Sequence, residues 1–117
     1  MNILDILLVE HLTDRIIFFI ERFGYHHLDI IENSKDAIIY LGDNLYDYIF
    51  LGGELGRDVG CGSDIAFFLA DNNENPNYNA ELIIHTWDIV EAGTMIGLLP
   101  QAKYLPFNES QYSAFAF

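Results

Sequence analysis

A chain of 117 residues is the size of one domain, and at this length roughly 65% of the surface exposed by the unfolded chain can be buried. With 51% apolar and 20% charged residues, the composition is that of a globular protein and excludes a disordered one. The formal charge of -13, with Arg15, Arg22, Lys35, Arg57 and Lys103 as the fixed cations, repels phosphate backbones and anionic lipid. Free nucleic acid and membrane surfaces are therefore not expected partners, whereas a basic protein or metal cations suit the charge.

The single thiol, Cys61, can form no internal disulfide, and its glycine neighbours give it no evident chemistry. No apolar run approaches the roughly 20 residues that span a bilayer, and Asn2 to Val9 leads straight into structure without a basic leader. The expectation is one soluble, cytoplasmic domain over 1–117, with no cofactor called for.

Ile3 to Val9 is a short apolar run broken by Asp5, as in a buried first strand, with Glu10-His11 at its carboxyl end. Thr13 reads as the cap of a first helix, Asp14 suits its first turn, and Ile16, Phe19, Ile20 and Phe23 form its inner stripe before Gly24. Leu28 to Ile31 reads as the second strand, after which Ser34 caps a helix with Ala37, Ile38 and Leu41 inward and Gly42 at its end. His26-His27 reads as a solvated strand start. Tyr48 to Leu51 is the third strand, halted by Gly52-Gly53 and a glycine-rich loop to Gly62.

Ser63 or Asp64 caps the third helix, with Ile65, Phe68 and Leu69 inward. The polar run from Asp71 to Ala80, with Asn72, Asn73, Asn75, Asn77 and Asn79, reads as a loop and the first candidate for mobility. Leu82 to Ile84 is the fourth strand, ending at His85-Thr86; Ala92, Met95, Ile96 and Leu99 mark a fourth helix stopped by Pro100; Ala102 to Leu105 is the fifth strand. Asn108 with Gln111 three positions on resembles a capping box for a very short last helix carrying Tyr112 and Phe115. If so short a helix failed to cover the sheet, an apolar strip would remain there for a partner or a second copy.

Alternating strands and helices at this spacing predict right-handed crossovers and a five-stranded parallel sheet of order 2-1-3-4-5, a three-layer flavodoxin-like fold with a truncated fifth helix. In that order the carboxyl ends of strands one, three and four lie side by side. They gather Glu10, His11, Gly52, Gly53, Glu54, His85 and Thr86 around one crevice. Two carboxylates and two imidazoles there could hold a divalent metal, transfer protons, or do neither; no metal site is assigned. Thr86 is the kind of residue that bonds backbone as readily as phosphate. The loop from Gly52 to Gly62 has no P-loop ending, Arg57 is its only cation, and its glycines suit positive φ. Trp87, just past the crevice residues, is either an exposed anchor or a packing residue.

These features resemble the receiver domain of response regulators, and more closely the cyclic-phosphate-processing receiver family. The resemblance rests on Ile49-Phe50-Leu51-Gly52-Gly53-Glu54-Leu55-Gly56, Gly62-Ser63-Asp64-Ile65-Ala66, Ile83-Ile84-His85-Thr86-Trp87, Leu98-Leu99-Pro100 and Leu105-Pro106-Phe107, and covers nearly the whole chain. The chain departs from that family where its chemistry resides. Gly52 and Gly53 stand in place of Asp and His, Glu54 in place of a second Asp, Glu10-His11 in place of an acidic pair, and Leu105-Pro106-Phe107 where a receiver carries lysine. Phosphoryl transfer to a side chain at position 52 is thereby excluded.

Two functions follow as expectations. The first is a degenerate receiver-like module that binds a protein partner or itself through acidic faces and the residues Tyr112, Phe115 and Phe117. The second, implied by the resemblance, is hydrolysis of cyclic phosphates on RNA ends or nucleotides, with His85 as acid or base, His11 or Glu54 as its counterpart, and Thr86, Glu10, Gly52 and Gly53 around the ligand. A third is an acidic decoy of nucleic acid.

Overall fold

Five short apolar runs become five parallel strands: β1 Asp5–Val9, β2 His27–Ile31, β3 Tyr48–Leu51, β4 Glu81–Ile84 and β5 Lys103–Tyr104, hydrogen-bonded in the order β2-β1-β3-β4-β5. The computed structural model describes residues 2–53, 55 and 60–115. Glu54, Arg57 and Phe117, named above, lie outside the described residues. The helices are α1 Thr13–Phe23, α2 Ser34–Asp43, α3 Gly62–Asp71, α4 Ile89–Leu98 and α5 Glu109–Ser113. No described helix is long and apolar enough to cross a membrane.

Side chains of a strand alternate between faces, and the two halves of the core divide accordingly. Ile6 and Leu8 of β1, Phe50 of β3 and Ile83 of β4 join Phe19 and Phe23 of α1 and Tyr112 of α5. Leu7 and Val9, Ile49 and Leu51, and Leu82 and Ile84 face Leu41, Ile65, Leu69 and Met95 from α2, α3 and α4. Continuous apolar runs follow from a sheet covered on both faces.

The helix starts differ from expectation in how the free N–H groups are satisfied. Leu12, not Thr13, precedes α1, and the task falls to Glu10, whose Oε2 accepts from the backbone N–H of His11 (2.9 Å) and Leu12 (3.2 Å). At α2 the cap is Asn33, accepting from Asp36 N at 2.8 Å, because its side chain reaches that N–H one residue before Ser34. Helix α3 begins at Gly62 behind Cys61, with Asp64 Oδ2 accepting from Cys61 N at 3.0 Å. In α1 the inner stripe is Phe19 and Phe23 with Ile16 half-buried, whereas Ile20 is half exposed.

Three further expectations are corrected. The polar run before β4 contains a 3-10 turn, Pro76–Asn79, and a buried residue. Asn77 Nδ2 donates to Leu41 O (2.9 Å) and Asn44 O (2.7 Å), and its Oδ1 accepts from Tyr46 N (2.8 Å), which ties the segment to the α2–β3 connection. His26 is buried with Nδ1 accepting from Leu4 N, so only His27 is solvated. Helix α5, short as it is, covers its face of the sheet: Tyr112 is fully buried, donates to Leu105 O at 2.6 Å, and Phe115 packs edge-on against Phe23 and Phe50. Arg22 donates to Ser113 O and Phe115 O at the C-terminal end of α5, where a cation is favourable. The apolar strip is therefore closed, and Tyr112 and Phe115 are core rather than contact residues.

Candidate functional site

Strand pairing sets the site. Val9 lies opposite Leu51 and Leu51 opposite Ile84, so the next row, just past the strand ends, is Glu10, Gly52 and His85. Backbone bonds from Gly52 N to Val9 O (2.9 Å) and from His85 N to Leu51 O (3.0 Å) hold the row. Glu10 and His85 flank a residue with no side chain, and parallel strands are about 4.8 Å apart, so the two outer side chains can meet over the middle one. They do: His85 Nε2 lies 2.8 Å from Glu10 Oε1. A Cβ at position 52 would stand 3.6 Å from His85 Nε2 and 2.9 Å from Val9 O, closer than a backbone oxygen allows. The Val9 oxygen thus keeps position 52 bare, while the bridge lies at ordinary contact distance from where a Cβ would stand.

The pair is dry. His85 has no exposed surface and Glu10 is 2% exposed, so neither is a solvated strand-end group. Arg15, on the first turn of α1, adds a donor at 3.3 Å to Glu10 Oε1. Burial pushes the Glu10 carboxyl up, but the hydrogen bond from His85, the charge of that ring whenever it is protonated, and the backbone N–H groups of Leu12 and His11 outweigh it and bring the pKa down to about 2. Burial pulls the His85 pKa down against the attraction of Glu10, with Arg15 acting in the same direction as burial. The assignment that satisfies both is a Glu10 carboxylate accepting from Nε2–H of a neutral His85. This leaves Nδ1 of His85 buried without a hydrogen-bond partner among the described residues.

Arg15 is the member of the cluster that the sequence did not announce; its position five residues after Glu10, at a helix start, was the available signal. Its guanidinium carbon lies 4.4 Å from the Trp87 ring centroid and 5.2 Å from that of Phe107. Trp87 Nε1 donates to Phe107 O at 2.8 Å, and Phe107 N to His85 O at 2.9 Å, so the aromatic pair is fastened to the same strand ends. Trp87 is 66% exposed, which decides for the exposed alternative.

The other expected site residues sit apart from this triad. His11 is about one-third exposed, with Nδ1 3.7 Å from Glu10 Oε2, beyond hydrogen-bond reach. Thr86 is buried, accepts from Asp88 N at 3.1 Å through Oγ1 and from Tyr104 Oη through its carbonyl, and so organises the entry to α4. Gly53 lies under it: a Cβ there would meet Thr86 Oγ1. Glu54 lies outside the described residues. Among the described residues no group of three His, Cys, Asp or Glu is arranged to hold a metal ion. In the glycine-rich loop Gly60 takes φ +87°, whereas Gly52, Gly53 and Gly62 do not adopt the positive φ expected of the loop's glycines.

No protein-family model matches the chain, and no curated protein matches it in sequence. Solved structures do match it in shape. The phosphorylated cyanobacterial phytochrome response regulator RcpA superposes with a TM-score of 0.75 at 19% identity, over 96% of this chain and 87% of that one. The signal receiver domain of an HD domain-containing protein from Pseudomonas fluorescens Pf-5 gives 0.71 at 15%, over 95% and 89%. A CheY-like response regulator receiver domain protein from Methanospirillum hungatei JF-1 gives 0.71 at 11%, over 95% and 88%. With the strand order and the α-helical layers, these likenesses establish that the chain has the receiver, CheY-like form of the flavodoxin fold.

Proposed function

We propose that this chain is a receiver-like module that takes no part in phosphoryl transfer to aspartate and works by binding a protein partner. The observation that carries the reading is the row Glu10–Gly52–His85. The central position holds no carboxylate, and the space above it is occupied by a buried bond between its neighbours. A phosphoryl acceptor needs an exposed oxygen nucleophile with room for in-line attack, and neither requirement is met by the described residues of the row. Net charge of -13 favours a basic partner over a second copy, since two such chains repel.

The test is incubation of the full chain with acetyl phosphate and magnesium, followed by intact mass measurement. No phosphoryl adduct is expected. Stoichiometric acyl phosphate on any carboxylate would sink the reading.

The cyclic-phosphate hydrolase remains as a second reading because one observation favours it: a carboxylate bonded to an imidazole is the pairing used for acid–base work. Against it stands the complete burial of His85, which leaves no path for a substrate proton. Turnover of a panel of cyclic phosphates that disappears in His85→Ala would establish it, and absence of turnover would remove it.

A further inference from the structure

Beside the buried triad lies an open groove of about 680 Å³ between the first turns of α1 and α5, walled by Leu12, Arg15, Trp87 and Phe107 and rimmed by Asp14 and Glu109. We propose that this groove is the docking site of the module and that its occupant is a cationic segment of a partner protein, with an arginine or lysine laid on the open face of Trp87. The inference rests on the protein-binding reading above and names its surface.

Three observations choose this occupant. The indole is held in place on two sides, by its bond to Phe107 O and by the Arg15 guanidinium stacked at 4.4 Å, yet two-thirds of the residue is exposed. A fixed aromatic ring with a free face is a preorganised platform for a second cation. The cation in the wall is already matched, since Arg15 donates to Glu10. Asp14 and Glu109 are exposed and form no ion pair with a described residue, so the rim is negative and unopposed.

Apolar surface flanks the platform. Leu12, in the wall, is 44% exposed, and Phe107 lines the groove with it. These side chains suit the methylene stems and apolar neighbours of a basic segment. An acidic segment would face Asp14 and Glu109, and a second copy of the chain would bring another -13.

Trp87 is the only tryptophan, so its fluorescence reports on this groove alone. The probe is a short capped peptide of alternating arginine and leucine, titrated into the full chain, with the glutamate–leucine counterpart as control. Saturable change in Trp87 emission is expected with the arginine peptide only, weakened roughly tenfold by the double change Asp14→Asn and Glu109→Gln. The double change Asp71→Asn and Glu74→Gln, at the end of α3 and in the connection after it, should leave affinity unchanged. Far-UV circular dichroism verifies that all variants fold. Binding seen by calorimetry with Trp87 emission unmoved, or weakened equally by the Asp71 and Glu74 changes, overturns the groove while sparing the acidic binding module. No binding of the arginine peptide by either method overturns the groove as a cation site. Equal response to both peptides overturns the charge selection.

Discussion

The two ends of the sheet bury polar side chains in opposite ways. At the amino end, Asn77 uses both amide protons and its carbonyl oxygen on the backbone of Leu41, Asn44 and Tyr46. At the carboxyl end, His85 bonds Glu10 through one nitrogen and leaves the other without a partner among the described residues. A saturated knot fixes a connection. A charged pair beside an open groove holds a surface in shape, with Arg15 shared between the carboxylate inside and Trp87 outside. The comparison separates scaffolding from site by spare bonding capacity and by what lies next to the buried group, where burial alone would treat them alike.

The largest expected effect comes from breaking the carboxyl end. Glu10→Ala leaves Arg15, His85 and the N–H groups of His11 and Leu12 without their acceptor and should cost about 3–5 kcal/mol in denaturant unfolding. A loss under about 1 kcal/mol would mean that the pair contributes nothing net. Asn77→Ala should cost less, about 2–3 kcal/mol, because the groups stranded are neutral. Equal losses at the two ends would erase the distinction between charged and neutral knots.

Gly52→Asp sharpens the comparison further. It drives a Cβ against Val9 O and places a second carboxylate between Glu10 and His85. A loss of about 1–3 kcal/mol is expected from the clash alone, with no gain of phosphorylation by acetyl phosphate. Recovery of phosphorylation with unchanged stability would show that the row is an ordinary receiver site with one residue missing.

The smallest effect is the dependence on pH. The His85 pKa is lowered in the fold, so below 6.5 the unfolded chain takes up a proton that the folded chain declines, and stability falls as pH falls. The Glu10 pKa is lowered to about 2, so its contribution is complete above 4.5 and disappears as pH drops through about 2. Both signs agree. His85→Gln should flatten the stability profile below about pH 6.5. An unchanged profile would mean that the imidazole titrates alike in both states.

Strand order and both faces of the core were legible because apolar runs and helical stripes report burial directly, as Ile6 to Val9 and Tyr48 to Leu51 illustrate. The grouping of Glu10, Gly52 and His85 was legible from topology. Their bonding was not, since it joins residues 75 apart, across a row whose middle position has no side chain. Caps were misplaced at α1, where Leu12 offers no side-chain cap and Glu10 accepts its N–H, and at α2, where the cap is Asn33, one residue before Ser34. Asn77 was hidden among look-alikes, because its burial and its long-range bonds, one of them to the Leu41 carbonyl that Asn75 also reaches, leave no mark on a run of asparagines. Helix α5 is set by aromatic packing that a five-residue segment does not advertise.

The most direct test of the sealed row is nitrogen-15 NMR of the His85 ring from pH 8 to 5. The account predicts a neutral ring protonated at Nε2, with a slowly exchanging proton bonded to Glu10, holding that state below pH 6.5. A ring that takes up its second proton near 6.5, with rapid solvent exchange at Nε2, would place His85 in open water and contradict it.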